Sequence, residues 1–249
     1  NYLTLMLLSI YLISGCTLDS ENGPAQRTTL IADSLKAHFA PDGRTAHVKY
    51  GVNEVDGILS IVGETDQHEF KEQLAKQLDL EGIQFRDSLV LLPEQSLGTK
   101  TWGLINVSVA NLRGKPGHSQ ELVTQCVLGT PVRILKKSNS WYYIQSPELY
   151  LAWVDEAAVY PLSEVELNTW KTRERILYHN DYGIVYTQKD EKSDAVSDIV
   201  FGGILALKSK GSKWHEVIYP DGRIGYVSSA LARDFQDWAT HVELDYDQL

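Results

Sequence analysis

An internal repeat is the feature that most limits how this chain can fold. When the sequence is shifted by 73 residues, Gly129 falls on Gly202 and Trp141 falls on Trp214, with no gap between residues 121 and 159. Other aligned pairs share apolar or turn character: Val123 and Val196, Val132 and Leu205, Ile134 and Leu207, Ile144 and Val217, Pro147 and Pro220, Val154 and Val227, Ala157 and Ala230. A repeat of this length predicts two tandem copies of one supersecondary unit.

Each copy has the pattern of a small all-β barrel. From Thr101 onward, short apolar runs alternate with turns at intervals typical of barrels and sandwiches. We therefore predict a mainly β fold with barrels over residues 100–161 and 176–233. A linker helix is predicted over 162–175, because Ser163 followed by Glu166 forms a capping-box pattern.

The segment 30–99 has a different pattern, which predicts a β-α-β subdomain. A short strand at 57–63 is followed by a helix whose apolar residues Phe70, Leu74 and Leu78 recur at spacings of four. Thr65 or Asp66 would cap this helix and Gly82 would end it, before a second strand over 83–92. So small a sheet needs a neighbour, and we expect it to pack on the first barrel.

The charge of the chain argues against one class of partner. It carries 33 acidic against 23 basic residues, a formal net charge of −10. Nucleic-acid binding requires stripes of Lys and Arg that neutralise phosphates. We therefore expect no nucleic-acid partner.

The first sixteen residues are typical of a bacterial lipoprotein signal peptide. The apolar run over 2–13 would reach about 18 Å as a helix, too short to span a hydrocarbon core. Ile13-Ser14-Gly15-Cys16 resembles a lipobox, in which Cys16 is lipidated. The alternative is a core helix covered by the domain. We predict a membrane anchor at Cys16, a polar tether over 17–29 and a location in the cell envelope, with the membrane face left open.

The remaining cysteine and the histidines indicate no catalytic or metal centre. Cys126 aligns with the apolar Ile199 of the second copy, so we interpret it as a small buried hydrophobe. The seven histidines are scattered without the spacings of metal ligands. We predict no metal and no cofactor.

Several motifs together resemble a known family. They are Lys100-Thr101-Trp102-Gly103, Asn106 to Arg113, Glu121-Leu122-Val123-Thr124-Gln125, Trp141 to Gln145, and Tyr150 to Val154, with Pro220-Asp221-Gly222-Arg223 and Tyr226 in the second copy. They are similar to the two SH3-like domains that precede the catalytic domain of NlpC-type cysteine endopeptidases of the bacterial cell wall. The resemblance covers most of residues 45–240.

The resemblance implies a function that this sequence supplies only in part. Members of the family cleave the bond between γ-D-glutamate and a diamino acid in peptidoglycan stem peptides. Their papain-like domain carries an Asp-Cys-Ser-Gly motif and a histidine base, and neither pattern occurs here. We therefore interpret the chain as a non-catalytic front part, with residues 234–249 leading into a catalytic domain that is missing.

The resemblance also assigns two substrate-binding residues. In relatives, an acid and a tyrosine of the first SH3-like domain bind the free amine of the N-terminal L-Ala of the stem peptide. The matching positions are Glu121 and Tyr150. The repeat aligns Tyr150 with Arg223, so the barrel does not require a phenol there. It aligns Glu121 with Asp194, which leaves open that the acid is only a solvated turn residue.

Two other functions remain open at this point. The chain could be a stand-alone envelope lipoprotein that binds wall peptides without cleaving them. It could also dock to another envelope protein through its barrels.

Overall fold

The computed structural model describes residues 23–55 and 58–241. The signal peptide and the proposed lipidation site Cys16 lie outside them. The first subdomain is a three-stranded sheet with two helices: α1 Pro24–Phe39, β1 Val48–Val55, β2 Ile58–Thr65, α2 His68–Leu80 and β3 Phe85–Leu91. Strand β2 is central, antiparallel to β1 and parallel to β3. The β2–α2–β3 crossover is thus the predicted β-α-β unit.

Helix α2 forms because its apolar residues share one face. Phe70, Leu74 and Leu78 are all buried in one core with Leu59 and Ile61 of β2. The predicted cap is wrong, since Gln67 precedes the helix and no side chain caps it. The Asp66 carboxylate instead accepts the backbone N–H of His47, and the hydroxyl of Thr65 accepts that of Gln67, so both oxygens are engaged by other groups.

Helix α1 corrects the predicted tether. It begins at Pro24, where the absent N–H of proline costs nothing. Thr28, Ala32 and Leu35 form its buried face. The tether prediction is therefore wrong for residues 24–29. Strand β1 was also not predicted, although Val48, Tyr50 and Val52 alternate with polar residues and glycine and pack on the core.

Two SH3-like units follow, each built on a seven-stranded antiparallel sheet. The first contains β4 Trp102–Ile105, β5 Val109–Arg113, β6 Leu122–Val127, β7 Pro131–Ser138, β8 Trp141–Gln145, β9 Leu151–Asp155 and β10 Val159–Leu162. Its strand order is β10-β4-β7-β8-β9-β5-β6. The end strands β10 and β6 do not pair, so each predicted barrel is an open sheet in its hydrogen bonding.

The second unit repeats the first. It contains β11 Arg175–Tyr178, β12 Tyr182–Tyr186, β13 Ala195–Val200, β14 Ile204–Ser209, β15 Trp214–Ile218, β16 Ile224–Ser228 and β17 Ala232–Asp234. Its strand order is β13-β12-β16-β15-β14-β11-β17. This is the order of the first unit read from the opposite edge of the sheet. Helix α4 Phe235–His241 follows it, in the segment predicted as a linker.

The backbone hydrogen bonds show that the repeat extends beyond the aligned segment. The N–H of Gly129 donates to Ile105 in the first unit, and that of Gly202 donates to Tyr178 in the second. The N–H of Ile134 donates to Thr101, and that of Leu207 donates to Glu174. Each pair is separated by the same 73 residues that relate the two sequences. The equivalent region therefore starts at Thr101.

Helix α3 Glu164–Thr172 joins the units. The predicted capping box is confirmed: Glu166 N–H donates to the Ser163 hydroxyl, and the Glu166 carboxylate accepts from Ser163 N–H. Its buried Leu167 and Trp170 pack with Leu104 of the first unit and Ala206 of the second. The helix thus fastens one unit to the next. Among residues 23–55 and 58–241, no helix is long and apolar enough to cross a membrane.

Candidate functional site

Tyr150 lies at the end of a tight turn between β8 and β9. Its carbonyl accepts the N–H of Ser146, and Leu149 adopts a left-handed conformation with φ of 69°. The side chain is half-buried, and its hydroxyl has no hydrogen-bond partner among the described residues. A phenol in this state can still accept or donate a hydrogen bond to a ligand.

The turn that carries Tyr150 is also a contact with the first subdomain. The N–H of Leu151 donates to the carbonyl of Arg44 at 2.7 Å, and Gln145 Nε2 donates to the carbonyl of Thr45 at 3.0 Å. The Arg44 guanidinium, held by Asp42 through Nε and Nη2, lies within electrostatic reach of Tyr150. Tyr150 is therefore positioned by two subdomains.

Glu121 lies at the start of β6, where the hairpin loop after β5 returns to the sheet. Its carbonyl accepts the N–H of Gly114 at 3.0 Å, and the side chain is exposed. The loop before it is fixed by Arg113 Nη1, which donates to the carbonyl of Gln120 at 2.6 Å. Within the described part of the chain the Glu121 carboxylate has no partner. It is available to accept hydrogen bonds from a cation.

The structure places both predicted site residues on the first unit but joins them by no hydrogen bond. In the second unit the same two positions are Asp194 and Arg223. Asp194 has the same backbone role as Glu121, since its carbonyl accepts the N–H of Thr187. Arg223 instead reaches the first unit, where its Nη2 donates to the carbonyl of Asn106 at 3.3 Å. The turn at Tyr150 thus contacts the first subdomain, and the equivalent turn at Arg223 contacts the first unit.

A charged cluster that the sequence did not reveal lies between the first subdomain and the first unit. Lys136 Nζ donates to both carboxylate oxygens of Glu64 at 2.6 Å, and it lies 5.5 Å from the ring centroids of both Tyr143 and Trp153. His47 is almost fully buried beside them, with Nε2 at 2.8 Å from Glu64 and Nδ1 at 3.2 Å from the Tyr143 hydroxyl. Its members come from two distant segments, residues 47–64 and 136–153, so no local motif indicates the cluster.

The electrostatics of this cluster favour a neutral histidine beside an ionised acid. Burial lowers the pKa of His47. Burial alone would raise the pKa of Glu64, but hydrogen bonds from Lys136 and His47 outweigh it and the net direction is downward. The neutral tautomer with its proton on Nε2 donates to Glu64 and accepts from Tyr143 at Nδ1. Every polar atom of the contact is then satisfied.

The interpretation of Cys126 as a buried hydrophobe is confirmed. Its side chain is free and buried, and burial raises the pKa of the thiol to about 12. A nucleophilic cysteine needs a depressed pKa and an adjacent base, so Cys126 does not act as one. Across residues 23–55 and 58–241, no group of three or more His, Cys, Asp or Glu side chains is arranged to hold a metal ion.

Comparison with known proteins places the first unit. Residues 112–159 match the model of the bacterial dipeptidyl-peptidase SH3 domain, a span that includes both Glu121 and Tyr150. The first unit is thus similar to an SH3 domain of this type. Over 131 residues the chain is 24% identical to dipeptidyl-peptidase 6 of Lysinibacillus sphaericus. The aligned region covers 51% of this chain and 48% of that protein. The chain thus spans about half the length of this relative.

Two solved structures also resemble the chain. An NlpC/P60 family protein from Bacillus cereus ATCC 10987 is 17% identical, with a TM-score of 0.46 over 54% of this chain and 56% of that one. An NlpC/P60 endopeptidase from Photobacterium damselae subsp. piscicida is 11% identical, with a TM-score of 0.42 over 84% and 45%.

Proposed function

We propose that this chain is the substrate-positioning, non-catalytic front part of a lipid-anchored peptidoglycan endopeptidase. The reaction would cleave the bond between γ-D-glutamate and a diamino acid, in stem peptides whose N-terminal L-Ala is free. The observation that carries the proposal is the match of residues 112–159 to the dipeptidyl-peptidase SH3 domain, because it spans both Glu121 and Tyr150. The cysteine and histidine that perform the cleavage would belong to a following papain-like domain.

The chemistry of the two side chains supports this role. A peptide ammonium offers three donors and a positive charge, which an unpaired carboxylate and a phenol oxygen can both accept. Acylating the amine removes the charge and leaves one donor. A site that holds the amine therefore discriminates against N-acylated stem peptides still attached to glycan. The bond of Leu151 N–H to Arg44 restrains the Tyr150 turn from the other side.

The test is a binding measurement on the chain itself. Isothermal titration with L-Ala-γ-D-Glu-diaminopimelate should give saturable binding, and the N-acetylated peptide should bind much more weakly. Tyr150→Phe and Glu121→Gln should each weaken binding by roughly 10- to 100-fold, the value of one hydrogen bond to a charged group.

Matched controls come from the same fold. Tyr160→Phe removes another part-exposed phenol of the first unit, and Asp194→Asn neutralises the second unit's counterpart of Glu121. Neither should change the affinity. Equal binding of the free and the acetylated peptide would contradict the amine-binding role.

The lipid anchor is a separate part of the proposal and has its own test. Metabolic labelling with a palmitate analogue should label the protein and place it in the membrane fraction, and Cys16→Ser should abolish both. Unchanged labelling of that variant would exclude Cys16 as the lipidation site.

Sequencing the DNA downstream of the codon for Leu249 distinguishes the two functional hypotheses. A frame carrying an Asp-Cys-Ser-Gly motif supports the peptidase, and a stop codon supports a stand-alone binding lipoprotein.

A further inference from the structure

The second unit contains a cleft for which the proposed function has no role. It has a volume of about 740 Å³ and lies between the β14–β15 hairpin and helix α4. Its size is within the range of small-ligand sites. Its lining includes Lys210, His215, Ser229, Arg233 and Trp238.

His215 supplies a fixed donor in the wall of the cleft. The residue is 7% exposed, and its Nδ1 accepts the backbone N–H of Gly211 at 3.3 Å. This bond leaves the proton of a neutral imidazole on Nε2. Burial, with a contribution from Lys210, lowers the pKa of His215 and so favours that neutral form. Nε2 has no partner within the described residues and is not sealed from solvent, so it can donate to a ligand.

Two cationic side chains, Lys210 and Arg233, also line the cleft beside the His215 donor. Neither Lys210 nor Arg233 forms a hydrogen bond or ion pair within residues 23–55 and 58–241. The acids of the cleft are Asp234 and Asp237. The Asp234 carboxylate already accepts the backbone N–H groups of Gln236 and Asp237 at 2.8 and 3.0 Å. Both cations are therefore free to pair with a ligand, although the two carboxylates offset their charge in the cleft.

The first unit shows the same position in a closed form. The counterparts of Lys210, His215 and Ser229 are Lys137, Tyr142 and Glu156. Lys137 forms an ion pair with Glu156, and its Nζ lies 5.5 Å from the centroid of the Tyr142 ring. In the second unit, serine replaces the glutamate, so this ion pair cannot form. Lys210 is left without this partner, and the smaller His215 takes the place of the tyrosine.

We propose that this cleft binds the carboxylate end of a short acidic peptide. Lys210 and Arg233 would hold the carboxylate and the Nε2–H of His215 would donate to it, with the half-buried Trp238 packing against the adjoining aliphatic chain. The choice of a wall stem peptide as the source of the carboxylate rests on the proposed function. The cleft would be a second, separate binding site for such peptides, on a different unit from Glu121 and Tyr150.

The experiment follows the indole N–H of Trp238 by two-dimensional NMR, with the peak assigned from Trp238→Phe. Titration with L-Ala-γ-D-Glu-diaminopimelate should shift this peak saturably, and the same peptide with every carboxylate amidated should not. Arg233→Gln, an exposed and conservative change, should weaken the effect by about 5- to 10-fold. Lys192→Gln, which removes a cation outside the cleft, should not change it.

A double variant designed to close the cleft gives an independent check. His215→Tyr with Ser229→Glu imports the arrangement of the first unit and should abolish the shift of the Trp238 peak. Equal shifts with the acidic and amidated peptides, no shift with either, or an unchanged affinity in Arg233→Gln would each overturn the proposal. Tyr150→Phe separates the two sites: it should weaken total binding in the proposed function yet leave the Trp238 titration in place. Loss of the Trp238 shift in Tyr150→Phe but not in Arg233→Gln would also overturn the cleft proposal.

Discussion

Gly129 of the first unit lies directly against the backbone of Ile204 in the second. It has a φ of 79°, and a Cβ added to it would overlap the carbonyl oxygen of Ile204. Next to it, the N–H of Ile204 donates to the carbonyl of Leu128 at 2.8 Å. The repeated glycine therefore has two roles at this position, a left-handed turn and a close approach between units.

The first prediction separates these two roles. Gly129→Ala should lower the free energy of unfolding by about 2–4 kcal/mol, since it adds a clash between units to the cost of the left-handed conformation. Gly202→Ala is the matched control. Its φ is 83°, but its Cβ would meet only Val127 at 3.6 Å, so about 0.5–1 kcal/mol is expected. Denaturant unfolding of both variants measures the difference. Equal losses would show that the clash is relieved by a small movement of Ile204.

The second prediction concerns acid sensitivity at the contact between the first subdomain and the first unit. Because burial lowers the pKa of His47 in the folded protein, the unfolded chain takes up this proton first as the pH falls. The contribution is complete above about pH 6.5, the ordinary histidine pKa, and is lost as the pH falls towards the folded value. The groups that face His47 are Glu64, Lys49, Lys136 and Tyr143.

The melting temperature should therefore fall between pH 8 and pH 5.5, and less steeply in His47→Gln. His215 is perturbed in the same direction and should leave part of the slope in that variant. The exposed His38→Gln serves as the control and should keep the full slope. A slope identical in wild type and His47→Gln would show that proton uptake at His47 does not limit stability in acid.

The third prediction compares two tryptophans that follow equivalent strands. Trp170 of α3 is 6% exposed and packs with Leu104 and Ala206 across the joint. Trp170→Ala should cost about 3–5 kcal/mol, as expected for a large core side chain. Trp238 of α4 is half-buried at the edge of the cleft, so Trp238→Ala should cost clearly less, about 1–2 kcal/mol. Comparable losses would place Trp238 in the structural core of the second unit.

The sequence predicted the repeated part of this fold because strand spacing and turn residues are local signals. It also located α3, since a capping box is a local pattern of four residues. It did not predict β1, in which Gly51 and Asn53 lower the strand propensity and pairing with β2 supplies the stability. The same limit applies to the sites. Glu121 and Tyr150 came from a family resemblance, whereas the Glu64–Lys136 pair and the cleft at His215 depend on contacts between distant segments.

The last prediction concerns the turn that carries Tyr150. Leu149 adopts a φ of 69°, while its counterpart Gly222 adopts 90° in the equivalent turn. The left-handed conformation costs a leucine roughly 1–2 kcal/mol, partly offset in Leu149→Gly by the greater freedom of glycine in the unfolded chain. The leucine side chain is 57% exposed, so little packing is lost. Leu149→Gly should therefore raise the unfolding free energy by about 0.5–1 kcal/mol, and Gly222→Ala should lower it by a similar amount. If Leu149→Gly stabilises the fold but weakens binding of the stem peptide, the leucine restrains Tyr150 for its ligand. If binding is unchanged, the bond between Leu151 and Arg44 is sufficient to hold the turn.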